Sequence, residues 1–168
     1  EANLGVLLER IKALGISHVF LQGFSDPDGD GAANALYFPN RRMPMRADLF
    51  NRVVWQLRTR SDVQVFAWMP LLAFTGETTR PEWQLLQLVD NDAAMDASGE
   101  PRLSVFVPEA RHSIKDIYAD LGTNAPIDGI HFHDDGRMNE FEDANPAAIA
   151  AYHAVFGADF DMNKVLTD

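Results

Sequence analysis

The chain has 168 residues, 46% of them hydrophobic and 23% charged, with no cysteine and a formal net charge of −11. That composition suits one globular domain with a real core, and it excludes disulfides and thiolate zinc sites. The charge is uneven: residues 1–60 carry eight basic and six acidic side chains, residues 61–168 six and nineteen. An acidic surface repels phosphate backbones, which argues against nucleic acid as a partner. It either attracts a cationic ligand or serves solubility alone. No run of about 18 apolar residues predicts a membrane-spanning helix.

The first apolar stripe, Leu4, Leu7, Leu8, Ile11 and Leu14, has helical spacing and stops at Gly15. "SHVFLQGF" (17–24) is rich in Val and Phe and predicts a strand. A polar stretch rich in Gly and Pro follows to about Met45, after which Asp48 stands as an N-cap for a helix with Phe50, Val53, Val54 and Leu57 on one side. "VQVFAWM" (63–69) is the second predicted strand, and a long irregular region follows it. A third helix starts near Pro108, carries Ile114, Ile117, Tyr118 and Leu121 inward, and is expected to end before Gly122. "IDGIHFH" (127–133) is the third strand, and Asn145-Pro146 opens a fourth helix with Ile149, Tyr152 and Phe156.

Helices and strands alternate, which predicts parallel strands joined by crossover helices. Connections from helix to strand are short (15–16, 61–62, 122–126), whereas those from strand to helix are long (24–46, 70–106, 134–144). In parallel α/β folds the loops after the strands form the functional face. The three or four βα units fall short of a (β/α)₈ barrel, which takes about 250 residues. The expectation is therefore an α/β fold forming part of a (β/α)₈ TIM-like barrel with parallel strands, residues 1–168 being a segment of that single domain. A small open sheet is the alternative. No Gly-rich nucleotide fingerprint follows any strand.

Three motifs lie at strand ends. "DPDGDG" (26–31) places Asp26, Asp28, Asp30 and Gly31 at the first positions of a calcium loop, but Tyr37 stands where a bidentate Glu belongs. An Asx-rich turn and a substrate-facing loop both account for it. His131 and His133 share one strand face, with no third ligand in view, so second-shell hydrogen bonding or a polar barrel interior suits them better than a metal, and no cofactor is expected. Strand alternation puts Gly129, His131, His133 and Asp135 on the barrel side and Ile130, Phe132 and Asp134 on the helix side. Asp135 should then point at the mouth of the barrel, joined by Asp134 only if the chain bends. Two close carboxylates are the apparatus of glycosidic acid catalysis; capping, or pairing with Arg, is the plain alternative. Phe24, Tyr37, Phe38, Trp68, Phe74 and Trp83 fall at strand ends or in the long loops, as core or as platforms for sugar rings. Arg41, Arg42 and Arg46 are solvated or paired with nearby aspartates.

The stretch from "LQGFSDPDGDGAANALYFPNRRMPMRADLF" through "VQVFAWMPLL" and "RLSVF" to "IDGIHFHDDGRMNEFED" closely resembles the C-terminal domain of the PgaB-type poly-β-1,6-N-acetylglucosamine deacetylases of bacterial biofilm export. The resemblance implies a (β/α) barrel that follows a metal-dependent deacetylase domain not represented in this sequence. It implies binding, and in some members hydrolysis, of partly deacetylated polymer. Carried over by motif, Asp134 and Asp135 of "FHDD" are the implied catalytic acids. Asp26 and Asp28 of "DPDG" and Trp68 of "WMP" lie near the groove, with His133 and Tyr37 as further substrate contacts. The resemblance also implies a periplasmic setting, outer-membrane anchoring in the full-length protein, and outer-membrane export machinery as partner. Deacetylated glucosamine carries ammonium groups, so polymer and acidic balance agree.

Overall fold

The computed structural model describes residues 2–75, 80–90, 92–95 and 101–165. Three strands, β1 (His18–Gln22), β4 (Gln64–Met69) and β7 (Gly129–Phe132), form one parallel sheet in the order β1-β4-β7. Registers run from His18 opposite Gln64 and from Phe66 opposite Gly129. The three sequence-predicted strands are thus neighbours in chain order. Helices α1 (Ala2–Leu14), α2 (Phe50–Arg60) and α3 (Pro108–Asn124) each precede one of these strands, and α4 (Pro146–Phe156) and α5 (Met162–Val165) close the chain.

The sheet's two faces differ in chemistry. Val65, Ala67 and Met69 of β4 are fully buried and meet Leu8 and Ile11 of α1, Val54 and Leu57 of α2, and Ile117 and Leu121 of α3 in one core. Burial of such side chains contributes roughly 1.5–3 kcal/mol each. The opposite face carries His18, Phe20, Phe66, Trp68 and His131, and Phe20 is 55% exposed in mid-strand. Phe20 lies 5.6 Å from Phe66 and 4.8 Å from His131, ring to ring.

Several boundaries differ from the sequence expectation, each for a local reason. Leu49, not Asp48, precedes α2, and no side chain caps it; the Tyr37 carbonyl accepts the Leu49 and Phe50 N–H groups instead. Gly122 lies inside α3, which continues to Asn124, whose amide reaches the carbonyls of Asp120 and Pro39. Leu7, Leu14 and Phe156 are 44%, 74% and 67% exposed, outside the core that their spacing suggested. The cap at Asn145 is as expected: its side chain accepts the Ala147 N–H at 2.9 Å. Gly15 ends α1 at φ +63°, with Ile16 N–H donating to Ile11 and Gly15 N–H to Lys12.

The long loops hold two small hairpins that the sequence did not announce: β2 (Phe24–Ser25) with β3 (Ala35–Leu36), and β5 (Gln87–Val89) with β6 (Asp92–Ala94). Arg41 and Arg42 tie the first loop to α3 through Asp120 and Asp116, so they are paired rather than solvated. Arg42 holds the Asp116 carboxyl, and Arg41 the Asp120 carboxyl, below the usual carboxylate range. At the other end of the sheet Asp128 accepts the Val65 N–H and pairs with Arg58, which lowers its pKa too.

Candidate active site

Parallel strands place the loops after β1, β4 and β7 at one end of the sheet, so "DPDGDG" and "FHDD" share a face. In the first loop Asp26 accepts the Gly29 N–H at 2.7 Å and the Gly31 N–H at 3.0 Å, while Asp30 accepts the Ala32 N–H. Gly29 and Gly31 take φ of +77° and +86°, which makes the tight turn possible. Slight burial would raise the Asp26 pKa, but the Gly31 and Gly29 N–H bonds outweigh it and hold the carboxyl below its ordinary value. Oxygens of Asp26, Asp28 and Asp30 lie within 4.8 Å of one another, near enough to share a cation. Asp26 and Asp30 are already engaged in shaping the turn, and Asp28 and Asp30 are the exposed members.

Trp68, near the end of β4, lies on the uncovered face of the sheet and stacks on His133, 5.8 Å between centroids at 17°. Phe24 meets it edge-on at 6.3 Å. His133 is held by its N–H donating to the Met69 carbonyl. Its Nδ1 stands 3.1 Å from Asp134 Oδ1, a close approach without a hydrogen bond. The strand ends here: Asp134–Gly136 form one 3₁₀ turn, and Asp134 emerges with its side chain 79% exposed.

Asp135 is not where alternation put it. The 3₁₀ turn resets the direction of the chain, and Asp135 is 5% exposed, turned away from the mouth into the loop after β4. Its Oδ1 accepts the Leu71 N–H at 2.9 Å, and Oδ2 accepts those of Leu72 and Ala73 at 2.5 and 2.7 Å. The two aspartates therefore do not form a shared-environment pair: one meets solvent, the other three backbone amides. Tyr37 lies at the edge of this region, half-buried against Leu21, Phe50 and Val53. Two of the acids farther along the motif are turned inward. Glu142 is buried and paired with Arg102, and Asp143 accepts the Asn145 and Leu86 N–H groups, so neither adds surface charge. Tyr118, read from its spacing as core, proves to donate its hydroxyl to the Pro70 carbonyl. The signal was available: a tyrosine on an apolar stripe needs a partner for its O–H.

All 168 residues match the profile of hypothetical glycosyl hydrolase family 13, GHL13. The chain belongs to this family. Over 152 residues, 90% of its length, this GHL13 chain is 44% identical to the poly-β-1,6-N-acetyl-D-glucosamine N-deacetylases of Escherichia coli K12 and O157:H7. It spans about a quarter, 23%, of those relatives' length. Among solved structures it resembles the PgaB (BpsB) glycoside hydrolase domain from Bordetella bronchiseptica, at TM-score 0.87 and 43% identity, covering 99% of this chain and 48% of that one. A likeness to isomaltulose synthase from Erwinia rhapontici, at TM-score 0.54 and 12% identity, concerns the fold alone. The GHL13 chain thus carries an α/β sheet of the kind found in the PgaB (BpsB) glycoside hydrolase domain.

Proposed function

We propose that this domain, completed as a (β/α)₈ barrel, binds partially deacetylated poly-β-1,6-N-acetylglucosamine and hydrolyses it, with Asp134 as proton donor. One observation carries the reading: an exposed carboxylate at the end of β7, beside the Trp68–His133 stack and on the face of the "DPDGDG" loop. A proton on Asp134 would pass to the leaving glycosidic oxygen, and Trp68 would offer its ring to a sugar face. Barrel completion explains why Phe20, His18 and His131 are uncovered: they would line an interior closed by further strands. Asp26, Asp28, His133 and Tyr37 remain the proposed groove contacts, Asp28 by direct charge and Asp26 by shaping its turn. A periplasmic setting, outer-membrane anchoring of the full-length protein, a preceding deacetylase domain and contact with export machinery follow from the same resemblance.

With Asp135 withdrawn, Asp134 has no paired carboxylate at the end of β7, which suits a reaction in which the substrate's own acetamido group assists departure, as in the substrate-assisted glycosidases. The same withdrawal favours a second reading, a non-catalytic domain that guides the polymer. Both readings require the polymer to bind. Calorimetry with matched oligomers should show tighter binding of the deacetylated form, weakened by salt but not erased, because exposed attractions are screened over about 8–10 Å at physiological ionic strength. Equal affinity of the two forms at low salt would assign the acidic balance to solubility alone.

A further inference from the structure

We propose that Asp135 and Tyr118 are positioning residues: they fix segment 70–73 against the Asp134–Gly136 turn and thereby hold Asp134 in place, Asp135 itself moving no proton. The proposal deepens the hydrolase reading above and rests on it.

Three successive backbone N–H groups, those of Leu71, Leu72 and Ala73, converge on one buried carboxylate. That is an acceptor-only requirement. A carboxylate meets it with both oxygens, whereas an amide would set an NH₂ group against N–H donors. The contact between turn and segment is close: a Cβ on Gly136 would stand 2.7 Å from Leu71 Cδ2. Tyr118 grips the residue just before the trio, donating its hydroxyl to the Pro70 carbonyl. Its ring meets Phe132 edge-on at 5.6 Å, at the end of β7. Burial, then the nearby Asp135 charge, pushes the Tyr118 pKa above its ordinary value, so the hydroxyl keeps its proton and remains a donor. The far end of the segment seats the other acidic loop: Ala33 N–H donates to Ala73, and Thr75 N–H donates back to Ala33, at 2.9 and 2.8 Å. One short segment therefore braces both acidic loops, and Asp135 is its charged anchor. Its two oxygens are engaged and 95% of its surface is covered, which leaves no face for a sugar.

The test uses the full-length protein and glucosamine oligomers with either a natural sugar or a dinitrophenyl leaving group. The activated group departs without a proton, so loss of a general acid shows mainly on the natural substrate. Asp135→Asn should lower kcat about 10²-fold on the natural substrate with KM nearly unchanged, the effect of displacing Asp134 by about 1 Å. Most of that loss should be recovered on the activated substrate, which needs no proton. Tyr118→Phe should lower kcat about tenfold on the natural substrate, with the same recovery on the activated one and a melting temperature lower by no more than about 5 °C. Because the two act through one segment, the double variant should be within about threefold of Asp135→Asn alone. An equal loss on the activated substrate, or fully multiplied losses in the double variant, would overturn the proposal. If Asp135→Asn does not fold, Tyr118→Phe decides alone: wild-type kcat overturns it. Wild-type protein inert toward both substrates would remove the hydrolase reading itself, and this proposal with it.

Discussion

Replacing Asp134 by Asn is expected to lower turnover of glucosamine oligomers by the full-length protein about 10²–10⁴-fold, the usual cost of removing a general acid. The side chain is 79% exposed and touches only the His133 ring nitrogen among the contacts described, so the fold should not notice the change. Initial rates and thermal melts on the same preparations check both halves. Wild-type turnover in this variant would make Asp134 an ordinary surface acid, whatever the family resemblance.

The second large effect is on stability. Phe38→Ala should cost the domain about 3–5 kcal/mol in a denaturant titration, the range for emptying a buried aromatic site. Phe38 is fully buried beneath the loop face, 6.1 Å from Phe50 at 61°, and its ring approaches Gly23 where β1 ends. Space there is already short: a Cβ on Gly23 would fall 2.6 Å from Met69 Sδ and 3.6 Å from the Phe38 ring. The ring thus supports the loop after β1 as well as the start of α2. A loss below about 1 kcal/mol would mean that the core does not extend under that loop.

The frame was readable because it depends on local pattern. Runs rich in Val, Ile and Phe gave the three strands, which are five, six and four residues long, and one-sided loop lengths gave their parallel order. What escaped the sequence depends on contacts distant in the chain. The α2 start was assigned to Asp48 because a side-chain cap is a local device, yet the Tyr37 carbonyl, twelve and thirteen residues before Leu49 and Phe50, replaces it. Hairpins of two or three residues per strand carry no alternation to read, and their pairing is set by neighbours such as the 141–144 stretch.

The candidate site shows the same division. "FHDD" marked the place correctly as the end of a strand on the loop face. The exposures within it are the reverse of those expected, since extending a period of two past Phe132 assumes that the strand continues. A 3₁₀ turn begins instead, exposing Asp134 and burying Asp135. The acidic run at 140–143 shows a related limit. Composition counts charges, but Glu142 is spent on Arg102 and Asp143 on backbone amides. The exposed negative charge of this face comes instead from Asp134, Glu140 and the "DPDGDG" loop.

The central claim is hydrolysis of an aminosugar polymer, as opposed to binding alone. Its most direct measurement is the release of new reducing ends from defined, partially deacetylated β-1,6-glucosamine oligomers by the full-length protein, followed by mass spectrometry of the products. Shorter oligomers with new reducing ends are expected, formed by wild-type protein and nearly absent with Asp134→Asn. Saturable binding of those oligomers with no new reducing ends would contradict it and leave a polymer-guiding domain.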